Sequence, residues 1–185
     1  VVLVGVAGTL WWQAYDRVLK GMRIYLDRKK PEEPGVRFVL VGGDPKEMPS
    51  FLENIRKLRL QKNVECRGFL QGKDLMRVYV SADLGISSLG CYRRGLTHCS
   101  SLKAREYCAA GLPFLYAYED DAMEGEHPFA LRLPNDPSPV DIGAAVRFAL
   151  HCRQDPTISE QEKEFARRKY DWKTILGQVL AFAGA

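Results

Sequence analysis

Short apolar runs alternate with segments of helical periodicity along most of this chain. Residues 1–4 and 36–41 are two such runs, and glycine residues follow each of them. Between them, apolar side chains from Tyr15 to Leu26 recur mostly at spacings of three and four, which predicts a helix. Strands that alternate with helices are typical of a parallel β-sheet with helices packed on its faces.

The same alternation continues toward the end of the chain. Further strands are predicted at 64–66, 84–86, 112–117 and 129–133, and later helices at 142–150, at 159–169 and from Trp172 onward. The sequence therefore predicts an α/β fold, a Rossmann-like parallel sheet of about six strands flanked by helices and followed by C-terminal helices. Residues 176–183 are apolar on more than one side, so we expect them to pack against another part of the protein.

Composition narrows the class of protein. A length of 185 residues with 46% apolar content fits a single domain over residues 1–185. The net charge of +4 is dispersed, which disfavours nucleic acid as a partner. The five cysteines contain no Cys-x-x-Cys pair, which disfavours a zinc site and favours a reducing cytoplasm. Because position 1 is a valine within an apolar run, we expect a domain of a larger protein.

The segment 100–114 gives the strongest indication of a binding site. Ser100 or Ser101 can cap a helix that Gly111 and Pro113 bring to an end. The free N–H groups and the partial positive charge at such a helix start suit a phosphate. Ligands of open α/β sheets bind beyond the carboxyl ends of the strands, so a helix that follows the fourth strand opens toward the expected crevice.

Lys103 and Glu106 lie three residues apart on this helix. A cation and a carboxylate at that spacing can meet a diphosphate and a ribose diol, respectively, in one ligand. The alternative is a surface ion pair without function. The predicted position at the crevice favours ligand binding.

Other candidate residues have weaker support. Gly8 and Thr9 follow the first strand, in a turn that either approaches a phosphate or is a plain tight turn. His98 is an acid, a phosphate donor or a loop residue, and no serine and aspartate at motif spacing support a hydrolytic triad. The acidic residues in 119–126 match no calcium loop, so we expect a solvated loop and no metal.

Two pairs of large side chains flank the predicted crevice. Trp11 and Trp12 follow the first strand, and core packing is their simplest interpretation, with an acceptor cleft or a domain interface as alternatives. Arg93 and Arg94 lie in the loop after the fourth strand, where they either meet an anionic ligand or remain mobile, solvated charges.

These motifs resemble the C-terminal, donor-binding half of retaining group 1 glycosyltransferases, whose two Rossmann-like domains form the GT-B architecture. The likeness covers nearly the whole chain. Its most specific block is Leu102-Lys103-x-x-Glu106-Tyr107-x-Ala109-x-Gly111-Leu112-Pro113. Weaker blocks are a glycine-containing turn after the first strand, Val39-Leu40-Val41-Gly42-Gly43-Asp44, Asn63-Val64-x-x-x-Gly68-Phe69 and Leu75-x-x-x-Tyr79-x-x-Ala82-Asp83-Leu84-Gly85-Ile86.

The resemblance implies roles for individual residues. Glu106 matches the second glutamate of the family's Glu-x7-Glu motif and would accept hydrogen bonds from the donor ribose. Gly8 and Thr9 would face the diphosphate and the sugar. The diphosphate would be held by backbone N–H groups of Ser100, Ser101, Leu102 and Lys103. The nucleobase would be held largely by the main chain of Arg67, Gly68, Phe69 and Leu70.

The chain also departs from the family pattern at two places. His98 stands where the first glutamate of the motif would contact the sugar. Gln13 and Ala14 lie where an arginine and a lysine often neutralise the diphosphate.

The activity that the resemblance implies is metal-independent glycosyl transfer with retention, from a nucleotide diphospho-sugar to a glycan or lipid acceptor, in polysaccharide biosynthesis. No other cofactor is implied, and UDP and GDP donors are not distinguished. An N-terminal domain would bind the acceptor, so this chain alone would bind nucleotide but transfer little, and the whole protein could associate peripherally with membranes. The alternatives are half of a sugar-nucleotide epimerase, or a non-catalytic nucleotide-sugar-binding module.

Overall fold

The computed structural model describes residues 1–8, 11–44 and 48–184. Within these ranges the strands are β1 (Val2–Val6), β2 (Arg37–Val41), β3 (Val64–Cys66), β4 (Leu84–Ile86), β5 (Phe114–Tyr116) and β6 (Ala130–Arg132). They form one parallel sheet in the order β3-β2-β1-β4-β5-β6. The six-stranded parallel sheet that the sequence predicts is thus confirmed.

Seven helices accompany the described strands. They are α1 (Tyr15–Arg28), α2 (Pro49–Lys57), α3 (Gly72–Ser81), α4 (Leu102–Ala110), α5 (Ile142–Gln154), α6 (Thr157–Lys169) and α7 (Trp172–Ala183). The first four are interleaved with the strands, and the last three follow β6. The predicted C-terminal helices are therefore present.

A hydrophobic layer lies on each face of the sheet. Successive residues of β2 alternate between the layers, because Phe38 and Leu40 pack in one and Val39 and Val41 pack in the other. Helices α1, α2 and α5 cover the first layer, and α3, α4 and α6 cover the second. A sheet that is buried on both faces explains why its strands appear in the sequence as nearly continuous apolar runs.

Helix α4 packs directly on β4. The fully buried ring of Tyr107 lies so close to the strand that a Cβ atom at Gly85 would be 2.6 Å from its Cδ2 atom. The Tyr107 hydroxyl donates to the carbonyl oxygens of Ile86, at 3.2 Å, and Val4, at 3.5 Å. The position of α4 over the sheet therefore depends on a glycine in the strand.

The direction of the strand order reverses between β1 and β4. The chain leaves β1 toward β2 on one side, and it leaves β4 toward β5 on the other. In sheets of this kind the loops at the carboxyl ends of the two central strands diverge and leave a crevice.

A buried cation on α1 fixes the chain around this crevice. The Arg17 guanidinium donates to the carbonyl oxygens of Leu89 at 2.6 Å, Pro134 at 2.9 Å and Ser138 at 2.7 Å. It also lies 3.8 Å from an Asp136 carboxylate oxygen. Burial lowers the pKa of Arg17. Since its donors are used within the protein, Arg17 has a structural role.

Helix α7 has no buried residue. Its exposed large apolar side chains are Trp172, Leu176, Val179, Leu180 and Phe182. The expectation that 176–183 packs against another part of the protein stays a prediction. None of the helices in the described part of the chain has the length and apolar character needed to cross a membrane.

Candidate functional site

Lys103, in the first turn of α4, lies at the switch point of the sheet. Its ammonium group donates to the Gln13 side-chain oxygen at 2.9 Å and to the Ser88 hydroxyl at 3.3 Å. Gln13 belongs to the chain that follows β1, and Ser88 follows β4. Burial lowers the pKa of Lys103. The cation is therefore fixed where the loops after the two central strands meet.

The start of α4 has no side-chain cap among the described residues. Ser101 occupies the N-cap position as predicted, yet its hydroxyl makes no capping hydrogen bond. Ser101 is buried, and the hydroxyl groups of Ser87 and Tyr118 lie 2.9 Å apart. Ser100 accepts a hydrogen bond from the Arg105 guanidinium at 2.6 Å. Because no serine side chain caps the helix, its first N–H groups remain for an external acceptor.

Glu106 lies one turn further along α4 and contacts α3. Its carboxylate accepts a hydrogen bond of 3.0 Å from the Tyr79 hydroxyl. Burial and the nearby Glu106 raise the pKa of Tyr79, so the phenol stays protonated and keeps donating. A carboxylate can accept several hydrogen bonds, so one partner leaves capacity for a ligand diol.

Lys103 and Glu106 thus have separate partners and form no ion pair with each other in the described structure. The surface ion pair considered from the sequence is wrong. Sequence reasoning missed Tyr79 and Ser88 as contacts of this site. The sequence indicates only core packing for Tyr79, because this residue lies on the apolar face of α3.

The loop after β3 lies beside the loop after β2. The Gly68 carbonyl accepts a hydrogen bond of 2.7 Å from the Gly42 N–H group, and Gly68 has a φ of 65°. Phe69 is 75% exposed, and Leu70 packs against the layer under α3 and α4. Arg67 pairs with Glu65 at 2.8 Å. This loop presents main chain and one exposed aromatic ring.

Of the two residues after β1 that were predicted to face the ligand, Gly8 is described by the structure and Thr9 is not. Gly8 lies beside Gly43, since a Cβ atom at Gly43 would be 3.6 Å from the Gly8 Cα atom. A Cβ atom at Gly8 itself would meet no atom within 4 Å, so its surface is open. Thr9 lies outside the described residues.

His98 is exposed and pairs with an acidic residue from another loop. Its Nε2 atom lies 3.0 Å from a Glu119 carboxylate oxygen, and its Nδ1 atom lies 3.0 Å from the Thr97 hydroxyl. The other Glu119 oxygen lies 3.0 Å from the Arg132 guanidinium. A carboxylate is thus placed beside position 98, which sequence reasoning missed because Glu119 was assigned to a solvated loop. Within the described ranges, no group of three or more histidine, cysteine, aspartate or glutamate side chains is arranged to hold a metal ion.

The tryptophans and arginines near the crevice form one rim. Trp11 is 56% exposed and Trp12 is partly exposed, so their assignment to the core is wrong. Both residues belong to a short 3-10 turn, Trp11–Gln13, between β1 and α1. Arg93 donates to both Asp16 carboxylate oxygens at 2.8 Å and to the Trp11 carbonyl at 2.6 Å. Arg93 is therefore neither mobile nor free for an anion.

The model of the family described as "Glycosyl transferases group 1" matches residues 1–148. The chain belongs to this family. A comparison with curated protein sequences gives no match.

Solved structures agree with this membership in the group 1 family at the level of the fold. A complex of Anabaena Alr3699/HepE with UDP is 19% identical with a TM-score of 0.67, and the match covers 99% of this chain and 48% of that one. A sucrose-phosphate synthase from Thermosynechococcus elongatus is 18% identical with a TM-score of 0.70, covering 100% and 46%. A Rickettsia africae glycosyltransferase is 14% identical with a TM-score of 0.71, covering 98% and 46%. The chain spans about half the length of each.

Proposed function

We propose that this chain is the donor-binding half of a two-domain GT-B glycosyltransferase. It would bind a nucleoside diphosphate sugar, whose glycosyl group passes with retention to a glycan or lipid acceptor. Membership of the group 1 family supports the proposal, as do similar folds solved with UDP and with UDP-glucose. The observation that carries it is the Lys103 ammonium group, fixed at the uncapped start of α4.

The diphosphate is proposed to lie against this helix start. Negative charge grows on the diphosphate as it leaves the sugar, and fixed donors aimed at that charge lower the barrier. Lys103 supplies one full positive charge, and the first N–H groups of α4 supply the positive end of the helix dipole. Gln13 occupies a place where the family often has a cation, and here it orients Lys103 instead.

The nucleoside is proposed to lie along α4 toward β3. Glu106 accepts hydrogen bonds from the ribose hydroxyl groups while Tyr79 keeps its carboxylate in position. The main chain of 67–70 receives the base, and the exposed Phe69 ring offers an apolar surface beside it.

The sugar is proposed to face the His98 and Glu119 pair. His98 stands where the family's first glutamate would be, and Glu119 brings a carboxylate to within 3.0 Å of that histidine. Glu119 is therefore the candidate substitute for the missing glutamate. This arrangement favours a transferase over a non-catalytic module, because the Glu119 carboxylate can still accept hydrogen bonds from the sugar.

The whole protein is proposed to include an acceptor domain, to act in the cytoplasm in polysaccharide synthesis and to need no metal or other cofactor. Peripheral association with a membrane is proposed for the case of a lipid acceptor. The bond between the anomeric carbon and the diphosphate oxygen breaks as the acceptor oxygen bonds to the same face of that carbon. The departing diphosphate takes the electron pair of the broken bond and the proton that the acceptor hydroxyl group loses.

Calorimetric titration tests the donor site. The chain should bind UDP or GDP, and Glu106→Gln should weaken that binding while Glu53→Gln, on the distant helix α2, should not. Failure of both nucleotides to bind, or equal affinity in Glu106→Gln, contradicts the assignment. In the whole protein, acceptor-dependent release of nucleoside diphosphate with a retained anomeric configuration by NMR supports transfer, whereas acceptor-independent interconversion of sugars supports the epimerase.

A further inference from the structure

The chain just before α4 is joined by main-chain hydrogen bonds to the chain that follows β5. His98 and Glu119 form a short parallel bridge. The Glu119 N–H group donates to the Thr97 carbonyl at 2.8 Å, and the Cys99 N–H group donates to the Glu119 carbonyl at 2.8 Å. The backbone therefore brings position 119 beside position 98, directly ahead of the helix start that is proposed to hold the diphosphate.

The Glu119 carboxylate has one partner on each oxygen. One oxygen lies 3.0 Å from the His98 Nε2 atom, and the other accepts a hydrogen bond of 3.0 Å from the Arg132 guanidinium. Arg132 is the last residue of β6, where it lies opposite Tyr116 of β5. The terminal torsion of a glutamate is otherwise broad. Two partners from separate elements therefore fix the plane of this carboxylate.

Glu119 has hydrogen-bonding capacity left for a ligand, whereas His98 does not. Each carboxylate oxygen can accept a further hydrogen bond, but both ring nitrogens of His98 already have partners, Glu119 and the Thr97 hydroxyl. His98, Glu119 and Arg132 are all exposed, and they line one cavity of about 740 Å³, a size typical of small-molecule sites. Glu119 is thus the acceptor that a sugar hydroxyl group in this cavity would meet.

We propose that Arg132 is a positioning residue of the sugar site, which acts through Glu119 and does not contact the sugar itself. The proposal rests on the proposed function, since it concerns the glycosyl group of the same nucleotide sugar. In the free chain, Arg132 from β6 and His98 from the loop before α4 hold the carboxylate in one orientation. The sugar then binds an acceptor that is already ordered, so less side-chain entropy is lost on binding.

Titration calorimetry tests the proposal through a ratio, the dissociation constant of a nucleotide sugar divided by that of its nucleoside diphosphate. The probes are UDP with UDP-glucose and UDP-galactose, or GDP with GDP-mannose where GDP is the nucleotide that binds. The ratio isolates the sugar, because a change that acts on the diphosphate or on folding affects both ligands. Arg132→Met should raise the ratio about fivefold, and Arg132→Lys, which keeps a donor, should raise it less.

A double-mutant cycle separates positioning from direct contact. Glu119→Ala should raise the ratio about tenfold, because it removes the charged acceptor itself. In that background Arg132→Met should have no further effect, since no carboxylate remains to be oriented. The matched control is the exposed ion pair of Arg167 and Glu164 on α6. Arg167→Met and Glu164→Ala should leave the ratio unchanged, singly and together.

The outcomes distinguish this inference from the donor site as a whole. Additive effects of Glu119→Ala and Arg132→Met overturn the proposal, because they show that Arg132 acts on the sugar independently of Glu119. An unchanged ratio in Arg132→Met, or in Glu119→Ala, overturns it as well, while nucleotide binding by the same variants leaves the donor site in place. A wild-type chain that binds neither UDP nor GDP contradicts the proposed function and this inference together.

Discussion

The Lys103 ammonium group is hydrogen-bonded to the Gln13 side chain across the switch point of the sheet, at 2.9 Å. Gln13 follows β1 at a position where this family often has a cation. Here its amide orients the cation of Lys103, which belongs to α4. Charge neutralisation at the proposed diphosphate depends on Lys103 together with the helix start, so removal of Lys103 should have a large effect.

Lys103→Met should weaken UDP binding about 10- to 100-fold, because a charge-assisted hydrogen bond contributes about 1.5–3 kcal/mol. Gln13→Ala should weaken it less, since the ammonium group keeps its charge and its contact with Ser88. Isothermal titration calorimetry measures both, and Lys57→Met on the exposed face of α2 is the matched control. Unchanged affinity in Lys103→Met would exclude Lys103 as a phosphate ligand.

Glu106→Gln should lose affinity for UDP but not for its 2′,3′-dideoxy analogue. The carboxylate is proposed to contact the ribose hydroxyl groups, so the effect of the substitution should disappear when they are absent. The expected loss for UDP is about 1.5–3 kcal/mol. Tyr79→Phe should produce a smaller loss of the same kind. An equal loss of affinity for both nucleotides would show that Glu106 does not contact the ribose hydroxyl groups.

Arg17→Met should reduce the free energy of unfolding by about 3 kcal/mol. The methionine fills similar space, but the carbonyl oxygens of Leu89, Pro134 and Ser138 lose their common donor, and each unsatisfied group costs about 1 kcal/mol or more. Urea denaturation followed by circular dichroism provides the measurement. Arg167→Met, at an exposed ion pair on α6, should change the value by less than about 1 kcal/mol.

The stability of the chain should fall as pH rises from about 5 to about 9. Glu162 on α6 is fully buried, neither of its carboxyl oxygens has a partner among the described residues, and burial raises its pKa to about 9. The folded state therefore keeps a proton that the unfolded state releases above its ordinary pKa of 4.5. The protonated Glu162 contributes its full stabilisation below the unfolded pKa of 4.5 and loses it as pH rises toward the folded pKa of about 9. Over this range the free energy of unfolding should fall by up to about 1.4 kcal/mol per pH unit.

Glu162→Gln should flatten this pH dependence, since the amide does not titrate. The exposed Glu164→Gln on the same helix should keep the wild-type profile. Urea midpoints at half-unit steps from pH 5 to pH 9 compare the three chains. A wild-type midpoint that is constant over this range would show that Glu162 is ionised in the folded chain.

The elements of this fold were predictable where burial alone determines the pattern. Residues 84–86 are predicted as a strand and form β4 with the same bounds, because a strand buried on both faces is apolar throughout. The strand predicted at 112–117 shortens to Phe114–Tyr116, since apolar residues continue past the hydrogen-bonded ladder.

Contacts between distant segments were not predictable in the same way. No local pattern relates Gln13 to Lys103, or Glu119 to His98, because each pair meets only after the sheet has formed. The charged segment 159–169 was predicted as mostly solvated, yet Glu162 shares the buried face of α6 with Ile158, Phe165 and Ala166. Because a charged residue occupies one position of this face, the polarity of the sequence does not indicate that the face is buried.

The glycine beneath Tyr107 has a thermodynamic consequence for any ligand of α4. With no side chain at position 85, the aromatic ring rests on the strand, and the helix cannot slide toward or away from the sheet without breaking a close-packed contact. The ordering of the helix start is then completed during folding rather than at the moment of association. Ligand binding there should proceed with little loss of conformational entropy from the backbone.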